Sequence, residues 1–321
     1  MMYSKIVGTG HSLPDRVMTN EDLEKIVDTT DEWIRTRTGI ESRHIADGET
    51  TCDLAEQAAR RAMEAANVTP DDIDLICVGT TTPDLIFPNM GCLLQARLDI
   101  HGCPAFSVEA ACTGFLYALS VSDKFVRAGS AKCALVIGAE TLSSIVNWKD
   151  RTTCVLFADG AGAVVLKPSE EPGILSTHIH ADGQYIDLLL MNAGVSKDFD
   201  RLKNGEAFIE MKGNEVFKVA VRTLGRIAKE TLEANNLSND DLDWLIPHQA
   251  NIRIIQAAAK QVNLPMEKVI VTVQNHGNTS AASVPLAFDV AVRDGRIKPG
   301  DLCLLEAFGG GFTWGSALVR Y

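Results

Sequence analysis

The sequence has no apolar stretch long enough to cross a bilayer, and no basic segment followed by a long apolar run near its N-terminus. These absences predict a cytoplasmic protein without a membrane anchor. None of the eight cysteines lies in a CxxC pair, so no zinc or redox site is expected and no metal is predicted. Basic residues are in the minority, and the formal charge of −12 argues against nucleic acid as the main partner.

The glycine-rich stretch "EAFGGGFTWGSALV" lacks the GxGxxG spacing and the ribose-binding acid of a dinucleotide site. Its three consecutive glycines, 309–311, allow backbone N–H groups to approach a reacting centre, such as an oxyanion. A simple strand-to-strand turn explains the stretch equally well.

Within the 321 residues, β-rich runs alternate with helical patterns, which predicts an α/β architecture in layers. The chain also resembles itself at a shift of 169 residues: "ANVTPDDIDLI" at 66–76 matches "NNLSNDDLDWL" at 235–245. We therefore predict an internal duplication, with halves at 1–170 and 171–321 separated by the breaks in "KPSEEPG".

Cys112 lies where the apolar run "PAFSVEA" changes into the helical pattern "TGFLYALSVS", which has no charge before Asp123. A sulfur at the N-terminus of a buried helix is at the positive end of the helix dipole, which favours the thiolate. Cys112 is thus a candidate nucleophile. The alternative is an ordinary core cysteine at a tight turn.

Three loops follow apolar runs directly, and they contain Cys112, His248, and Asn278 with its neighbour His276. Ligands of open α/β sheets gather at the carboxyl ends of strands, so these loops are expected to meet in one crevice. A histidine there can act in catalysis, and a neutral amide can donate to developing negative charge. The alternatives are a hydrogen-bonded structural histidine and ordinary turn chemistry at the asparagine.

Basic residues recur at helical spacing in one segment of this acidic chain: Lys218, Arg222, Arg226 and Lys229. Arg253 and Lys260 lie on a second predicted helix. Such a patch would attract an acidic protein partner, although a solvated helix face gives the same pattern.

The segments "AACTGF", "PHQANIRII", "HGNTSAASVP" and "EAFGGGFTWGSALVRY" together resemble the β-ketoacyl-acyl-carrier-protein synthase III family, and the resemblance covers essentially the whole chain. It implies a thiolase-like fold, with duplicated βαβαβαββ halves in α-β-α-β-α layers, and a homodimer. It also implies that acetyl-coenzyme A acylates Cys112, and that malonyl-acyl carrier protein then loses CO2 and condenses to acetoacetyl-acyl carrier protein. Coenzyme A and the carrier enter as substrates, and no cofactor is implied.

The resemblance also assigns roles to individual positions. It implies catalytic roles for Cys112, His248, Asn278 and the Gly310 backbone. It places coenzyme A at Trp33, Arg37, Arg151 and Asn251. It places the carrier protein at Gln249, Arg253, Lys218 and Lys260, although Gln261 departs from a basic residue found in some members. It places Phe87 in the acyl pocket of the partner subunit, where a large ring would favour acetyl over longer primers.

Two other functions are compatible with the same residues. A secondary-metabolite synthase of this fold would share the Cys–His–Asn triad. A protein of a different class would bind an acyl carrier or acyl chain without catalysis, and the intact triad weighs against it.

Overall fold

The computed structural model describes residues 2–321. The strands are β1 (Tyr3–Ser12), β2 (Val17–Thr19), β3 (Ser42–His44), β4 (Leu75–Gly79), β5 (Ala105–Val108), β6 (Ala134–Thr141), β7 (Asp159–Ser169), β8 (Ile174–Ala181), β9 (Leu189–Met191), β10 (Ile209–Met211), β11 (Trp244–Pro247), β12 (Leu302–Gly309) and β13 (Thr313–Arg320). The helices are α1 (Asn20–Glu24), α2 (Asp31–Thr38), α3 (Thr51–Ala65), α4 (Met90–Arg97), α5 (Gly114–Arg127), α6 (Arg151–Cys154), α7 (Phe199–Lys203), α8 (Gly213–Ala234), α9 (Ile252–Gln261), α10 (Val273–His276) and α11 (Ser283–Arg293).

Two mixed sheets form the centre of the molecule. The first has the strand order β1-β7-β6-β4-β5, and the second has the order β11-β12-β13-β8. Strands β4 and β6 are buried along their whole length, because helices cover both faces of the first sheet. Helix α3 packs on its outer face, α8 packs on the outer face of the second sheet, and α5 and α11 lie between the sheets. This arrangement confirms the predicted α-β-α-β-α layers.

The two sequence segments that match at a shift of 169 residues have the same local geometry. Asn67 and Asn236, 169 residues apart, both have left-handed backbone conformations, and each precedes a 3-10 turn that begins with a capping box. Ala111 and Ser280, again 169 residues apart, have φ values of 46° and 49°. Each begins a 3-10 turn that leads into a central helix, α5 or α11. The duplication itself, with its boundary at 170/171, stays a prediction.

The apolar run "VIVTV" at 269–273 precedes the loop that contains Asn278, and it differs from the strand expected there. It makes a single bridge to β11, between Leu245 and Val269, and helix α10 begins at Val273. The side chain of Gln249 explains the difference. Its Oε1 accepts hydrogen bonds from the backbone N–H groups of Thr272 and Val273 at 2.8 and 3.1 Å, so a buried amide replaces the neighbouring strand at this point.

Candidate active site

Cys112 lies in the 3-10 turn Ala111–Thr113, between the end of β5 and the beginning of α5. The backbone of Ala111 has a positive φ of 46°, which is strained for a residue other than glycine. The end of β12 packs tightly against this turn. A Cβ atom at Gly309 would lie 2.6 Å from the backbone nitrogen of Cys112, so only glycine fits there. The sequence places the sulfur at a strand-to-helix corner, and the structure confirms this placement.

The buried environment of Cys112 opposes its ionisation. Burial raises the pKa of the thiol to about 12, while a hydrogen bond with the Ser280 side chain acts in the opposite direction. The prediction that the helix N-terminus favours the thiolate needs a correction here, because loss of hydration outweighs it. The sulfur rests as a thiol, and a proton acceptor has to take its proton when it reacts.

His248 follows the last residue of β11 and is fully enclosed by protein. Burial lowers the pKa of its imidazole to about 4, so the ring is neutral at pH 7. Its Nδ1 lies 2.6 Å from the hydroxyl of Ser283, and that hydroxyl also accepts the backbone N–H of Gln249. When the serine donates to Nδ1, the imidazole proton lies on Nε2, where it can be donated.

Asn278 is held in one orientation by its own turn. Its Oδ1 accepts a hydrogen bond from the backbone N–H of Ser280 at 2.9 Å, and its backbone pairs with Leu156 and Ala158. Because the carbonyl of the side chain is occupied, the Nδ2 amide is free to donate. The alternative residue, His276, packs its ring edge against His44 instead.

One cavity of about 290 Å³ joins these residues. Cys112, His248 and Asn278 line it together with Phe308, and His276 does not. The structure thus brings together two neutral hydrogen-bond donors and one thiol in a largely apolar space. Such a site can hold a thioester and stabilise negative charge that develops on its oxygen.

The outer end of this cavity contains three of the four residues predicted to bind coenzyme A, namely Trp33, Arg37 and Asn251. The fourth, Arg151, has its guanidinium carbon 4.9 Å from the centre of the Trp33 ring. It also donates to the backbone oxygen of Asp28. Asn251 caps helix α9 through its side-chain oxygen, which leaves its amide group available to a ligand.

The predicted contact of Gln249 with a carrier protein was wrong. Gln249 is 1% exposed. Its Nε2 donates to the backbone oxygens of Pro247 and Ile270, and its Oε1 accepts the two N–H groups that follow Val271. Every polar atom of the side chain is thus used to hold the His248 loop against its neighbour, and none can reach a partner protein.

The basic residues of α8 and α9 lie at the surface, in keeping with the helical spacing of the sequence. Lys218, Arg253 and Lys260 are exposed. Arg253 also lines the outer part of the cavity, and its guanidinium group packs over the ring of Phe217 at 5.4 Å. A positively charged surface therefore adjoins the mouth of the cavity that leads to Cys112.

A second cavity, of about 630 Å³, reaches Cys112 from another direction. Its wall includes Gly310, Leu142, Ile145 and Leu189. Phe87 does not line it in this chain. The Phe87 ring is 84% exposed and follows two other exposed apolar residues, so the prediction that it reaches a partner's pocket remains open.

The sequence analysis did not identify three polar residues that contact the site: Glu140 and Ser280, which are hydrogen-bonded to each other, and Ser283, which contacts His248. Glu140 is a lone acid in the otherwise apolar strand segment "ALVIGAET", which is a signal that sequence alone provides. Ser280 begins a 3-10 turn and Ser283 begins helix α11, positions where hydroxyls are common, so no pattern distinguishes them.

The chain matches two family models, described as 3-oxoacyl-[acyl-carrier-protein] synthase III over residues 106–183 and the C-terminal part of that synthase over residues 232–321. It is 67% identical, over the full length of both chains, to the β-ketoacyl-[acyl-carrier-protein] synthase III of Thioalkalivibrio sulfidiphilus. The chain belongs to the β-ketoacyl-acyl-carrier-protein synthase III family.

Two further relatives agree with membership of the synthase III family. The synthase III of Xanthomonas campestris is 67% identical over all of this chain and 99% of its own length. The crystal structure of the Aquifex aeolicus synthase III is 50% identical and superposes with a TM-score of 0.94, covering 99% of this chain and 100% of that one. The thiolase-like fold is therefore confirmed, and this synthase III chain is an acyltransferase, a condensing enzyme of fatty-acid synthesis. Among residues 2–321, no helix is long and apolar enough to cross a membrane.

Proposed function

We propose that this chain condenses acetyl-coenzyme A with malonyl-acyl carrier protein by way of an acetyl-Cys112 intermediate. The products are acetoacetyl-acyl carrier protein, CO2 and coenzyme A, and the reaction begins a fatty-acid chain. Both substrates carry the reacting groups, so no cofactor takes part. The observation that supports this proposal is the common cavity of Cys112, His248 and Asn278, which opens beside basic side chains.

In the first half-reaction, coenzyme A lies along the outer end of the smaller cavity. The Trp33 indole face stacks on the adenine ring, and Arg37 and Arg151 meet phosphates, since a guanidinium group matches phosphate geometry. The free amide of Asn251 donates to the pantetheine arm. This places the thioester carbonyl at the sulfur of Cys112, which attacks it and releases coenzyme A.

In the second half-reaction, malonyl-acyl carrier protein loses CO2 and leaves an enolate on its thioester oxygen. The Nε2 proton of His248 and the Nδ2 amide of Asn278 donate to that oxygen, and each donor is worth about 3 kcal/mol in the transition state. The enolate carbon then attacks acetyl-Cys112. The backbone N–H groups of Cys112 and Gly310 hold the resulting oxyanion, and the sulfur of Cys112 leaves.

The carrier protein docks on the basic surface formed by Lys218, Arg253 and Lys260. The protein has a net charge of −12, but this surface is positively charged. It therefore attracts an acidic carrier protein. Because Arg253 also lines the cavity, a docked carrier would deliver its pantetheine arm directly towards Cys112.

Arg253→Glu should weaken condensation with malonyl-acyl carrier protein about 10-fold or more in kcat/KM, since charge reversal at a docking surface mainly slows association. The acetylation of Cys112 by acetyl-coenzyme A should change much less. Both rates can be measured separately by mass spectrometry. Lys132→Glu is the matched control, because Lys132 is exposed at the amino end of β6, away from the cavity. Equal losses in the two half-reactions would refute the docking role.

We also propose that the enzyme is a cytoplasmic homodimer in which the exposed Phe87 ring enters the second cavity of the partner subunit. A large ring at the end of this cavity shortens the space for the acyl group, which favours acetyl over longer primers. The exposure of three consecutive apolar residues, Leu85, Ile86 and Phe87, supports a protein interface there.

The complete reaction is tested by incubating the enzyme with malonyl-acyl carrier protein and either acetyl- or octanoyl-coenzyme A. We expect acetoacetyl-acyl carrier protein from the acetyl primer, with kcat/KM at least about 10-fold above that for octanoyl-coenzyme A. A preference for octanoyl-coenzyme A would defeat the role of Phe87. Failure of both primers would defeat the proposed reaction.

A further inference from the structure

Glu140 is a buried carboxyl group that the mechanism above does not use. It lies on β6, where every residue is buried, and it is 0% exposed. Its two oxygens accept hydrogen bonds from the hydroxyls and backbone N–H groups of Thr81 and Thr82, at distances from 2.6 to 3.2 Å. Burying the charge of such an acid is costly even when it is hydrogen-bonded.

Ser280 connects this carboxyl group to the nucleophile. Its Oγ donates to Oε1 of Glu140 at 3.3 Å, and Ser280 and Cys112 both line the cavity of about 630 Å³. The Ser280 side chain also lowers the pKa of the Cys112 thiol, against the larger effect of burial. The serine is 2% exposed and has a positive φ of 49°, so the turn holds it in a strained conformation at this position. Ser280 is thus hydrogen-bonded to Glu140 and shares a cavity wall with Cys112, so it can connect the carboxyl group to the sulfur.

We propose that Glu140 accepts the thiol proton of Cys112 through the hydroxyl of Ser280 when the sulfur attacks the acyl-coenzyme A. This deepens the proposed function and rests on it. It assigns the deprotonation of Cys112 to a residue outside the Cys–His–Asn triad. Ser280 touches the reacting sulfur, whereas Glu140 acts through it and is a positioning residue.

The proton balance closes over the two half-reactions. As the sulfur attacks, the S–H bond breaks and its proton moves to Ser280 Oγ, while the Ser280 proton moves to Glu140. Coenzyme A leaves as a thiolate and is protonated by solvent. After condensation Cys112 leaves as a thiolate and recovers its proton from Glu140 through Ser280. The whole reaction therefore takes up one proton from solvent, the one that ends on the thiol of coenzyme A. This agrees with the overall equation, in which a malonyl carboxylate is lost as CO2 and one proton is consumed.

The surroundings of His248 favour a role as hydrogen-bond donor and leave the deprotonation of Cys112 to Glu140. The imidazole is neutral, and its Nδ1 is engaged with Ser283. In the tautomer in which Ser283 donates to Nδ1, Nε2 carries the ring proton and does not act as a base. That proton is then available to the enolate in the second half-reaction. In addition, Glu140 is uncharged while Cys112 is acylated, so no buried carboxylate repels the malonyl group or the enolate.

The ionisation of Glu140 determines the pH dependence. Burial raises its pKa to about 7, against the opposing effect of hydrogen bonds from Thr82, Thr81 and Ser280. Among residues 2–321, the titratable group that interacts with it is Cys112, and its hydrogen-bond partners are hydroxyls and backbone amides. A carboxyl group accepts a proton only when ionised, so acetylation should slow as the pH falls through about 7.

The test is single-turnover acetylation of the intact enzyme by acetyl-coenzyme A, followed by intact mass from about pH 5.5 to about pH 9. For the wild type we expect an inflection near the pKa of Glu140. Glu140→Gln should slow acetylation about 10²-fold at neutral pH and remove the inflection. Ser280→Ala should also slow acetylation and remove the inflection, although Glu140 is still present. Glu140→Asp should keep an inflection at a reduced rate, because an acid remains.

Thr80→Val is the matched control. It removes a hydroxyl 3.4 Å from Glu140 that does not lie on the path to Cys112, so the inflection should remain. If Glu140→Gln unfolds, Ser280→Ala decides, since Ala111 shows that alanine tolerates the equivalent backbone conformation. A wild-type inflection in Glu140→Gln, or unchanged acetylation in Ser280→Ala, would overturn the role of Glu140. If the wild type itself acquires no acetyl group, the proposed function fails as well, which distinguishes the two failures.

Discussion

Cys112→Ser should abolish condensation, with a loss of at least about 10³-fold, as is found when a catalytic nucleophile is removed. A serine hydroxyl is far less acidic than a thiol, and Cys112 is already buried in a site where burial raises the pKa of the group that must ionise. In addition, an acyl group transferred to oxygen forms an ester, which is a poor donor to an enolate compared with a thioester.

Intact mass after incubation with acetyl-coenzyme A measures this loss directly. The wild type should gain one acetyl group, and Cys112→Ser should gain none. Cys103→Ser is the matched control, because Cys103 is a half-buried free cysteine that accepts a hydrogen bond from Gln95 and lies outside both cavities. Full activity of Cys112→Ser would show that Cys112 is only a core residue.

Asn278→Asp should slow the decarboxylation of malonyl-acyl carrier protein about 10³-fold. The substitution preserves the shape of the side chain and the oxygen that accepts the Ser280 N–H. It replaces the donating Nδ2 amide by a second oxygen, so the enolate loses one donor and meets negative charge instead. Loss of a single oxyanion donor already costs about 10²-fold to 10³-fold.

The release of CO2 and the acetylation of Cys112 should be measured on the same Asn278→Asp preparation. Acetylation should persist, because the amide serves only the second half-reaction. Asn275→Asp is the control, since Asn275 is an exposed residue three positions earlier in the same segment. Unimpaired CO2 release from Asn278→Asp would contradict the role of the amide.

The layered α/β architecture and the meeting of the three loops could be predicted from the residues, and the order of the layers from the resemblance to the family. Strand runs such as "LICVG" are apolar throughout because both faces are covered, and the repeat at 169 residues aligned the Cys112 turn with the Ser280 turn. The parallel strands β5 and β11 bring the Cys112 and His248 loops to the carboxyl ends of their sheets, whereas the Asn278 loop follows the short helix α10.

Other features depended on tertiary contacts that leave no local pattern. The resemblance placed Gln249 at the carrier protein, yet its buried amide bonds to backbone groups inside the protein. The state of the Cys112 sulfur was also misjudged, since the helix N-terminus is visible in the sequence whereas the depth of burial is not. The path through Ser280 required coordinates, because Glu140 and Ser280 are 140 residues apart.

The most direct test of the whole account follows the mass of the wild-type enzyme in two steps. Acetyl-coenzyme A is added first, excess reagent is removed, and malonyl-acyl carrier protein is then supplied. The account predicts one acetyl group on the peptide that contains Cys112, and its quantitative transfer to the carrier as acetoacetyl with release of CO2. An acetyl group on any other residue, or one on Cys112 that malonyl-acyl carrier protein does not discharge, would contradict it.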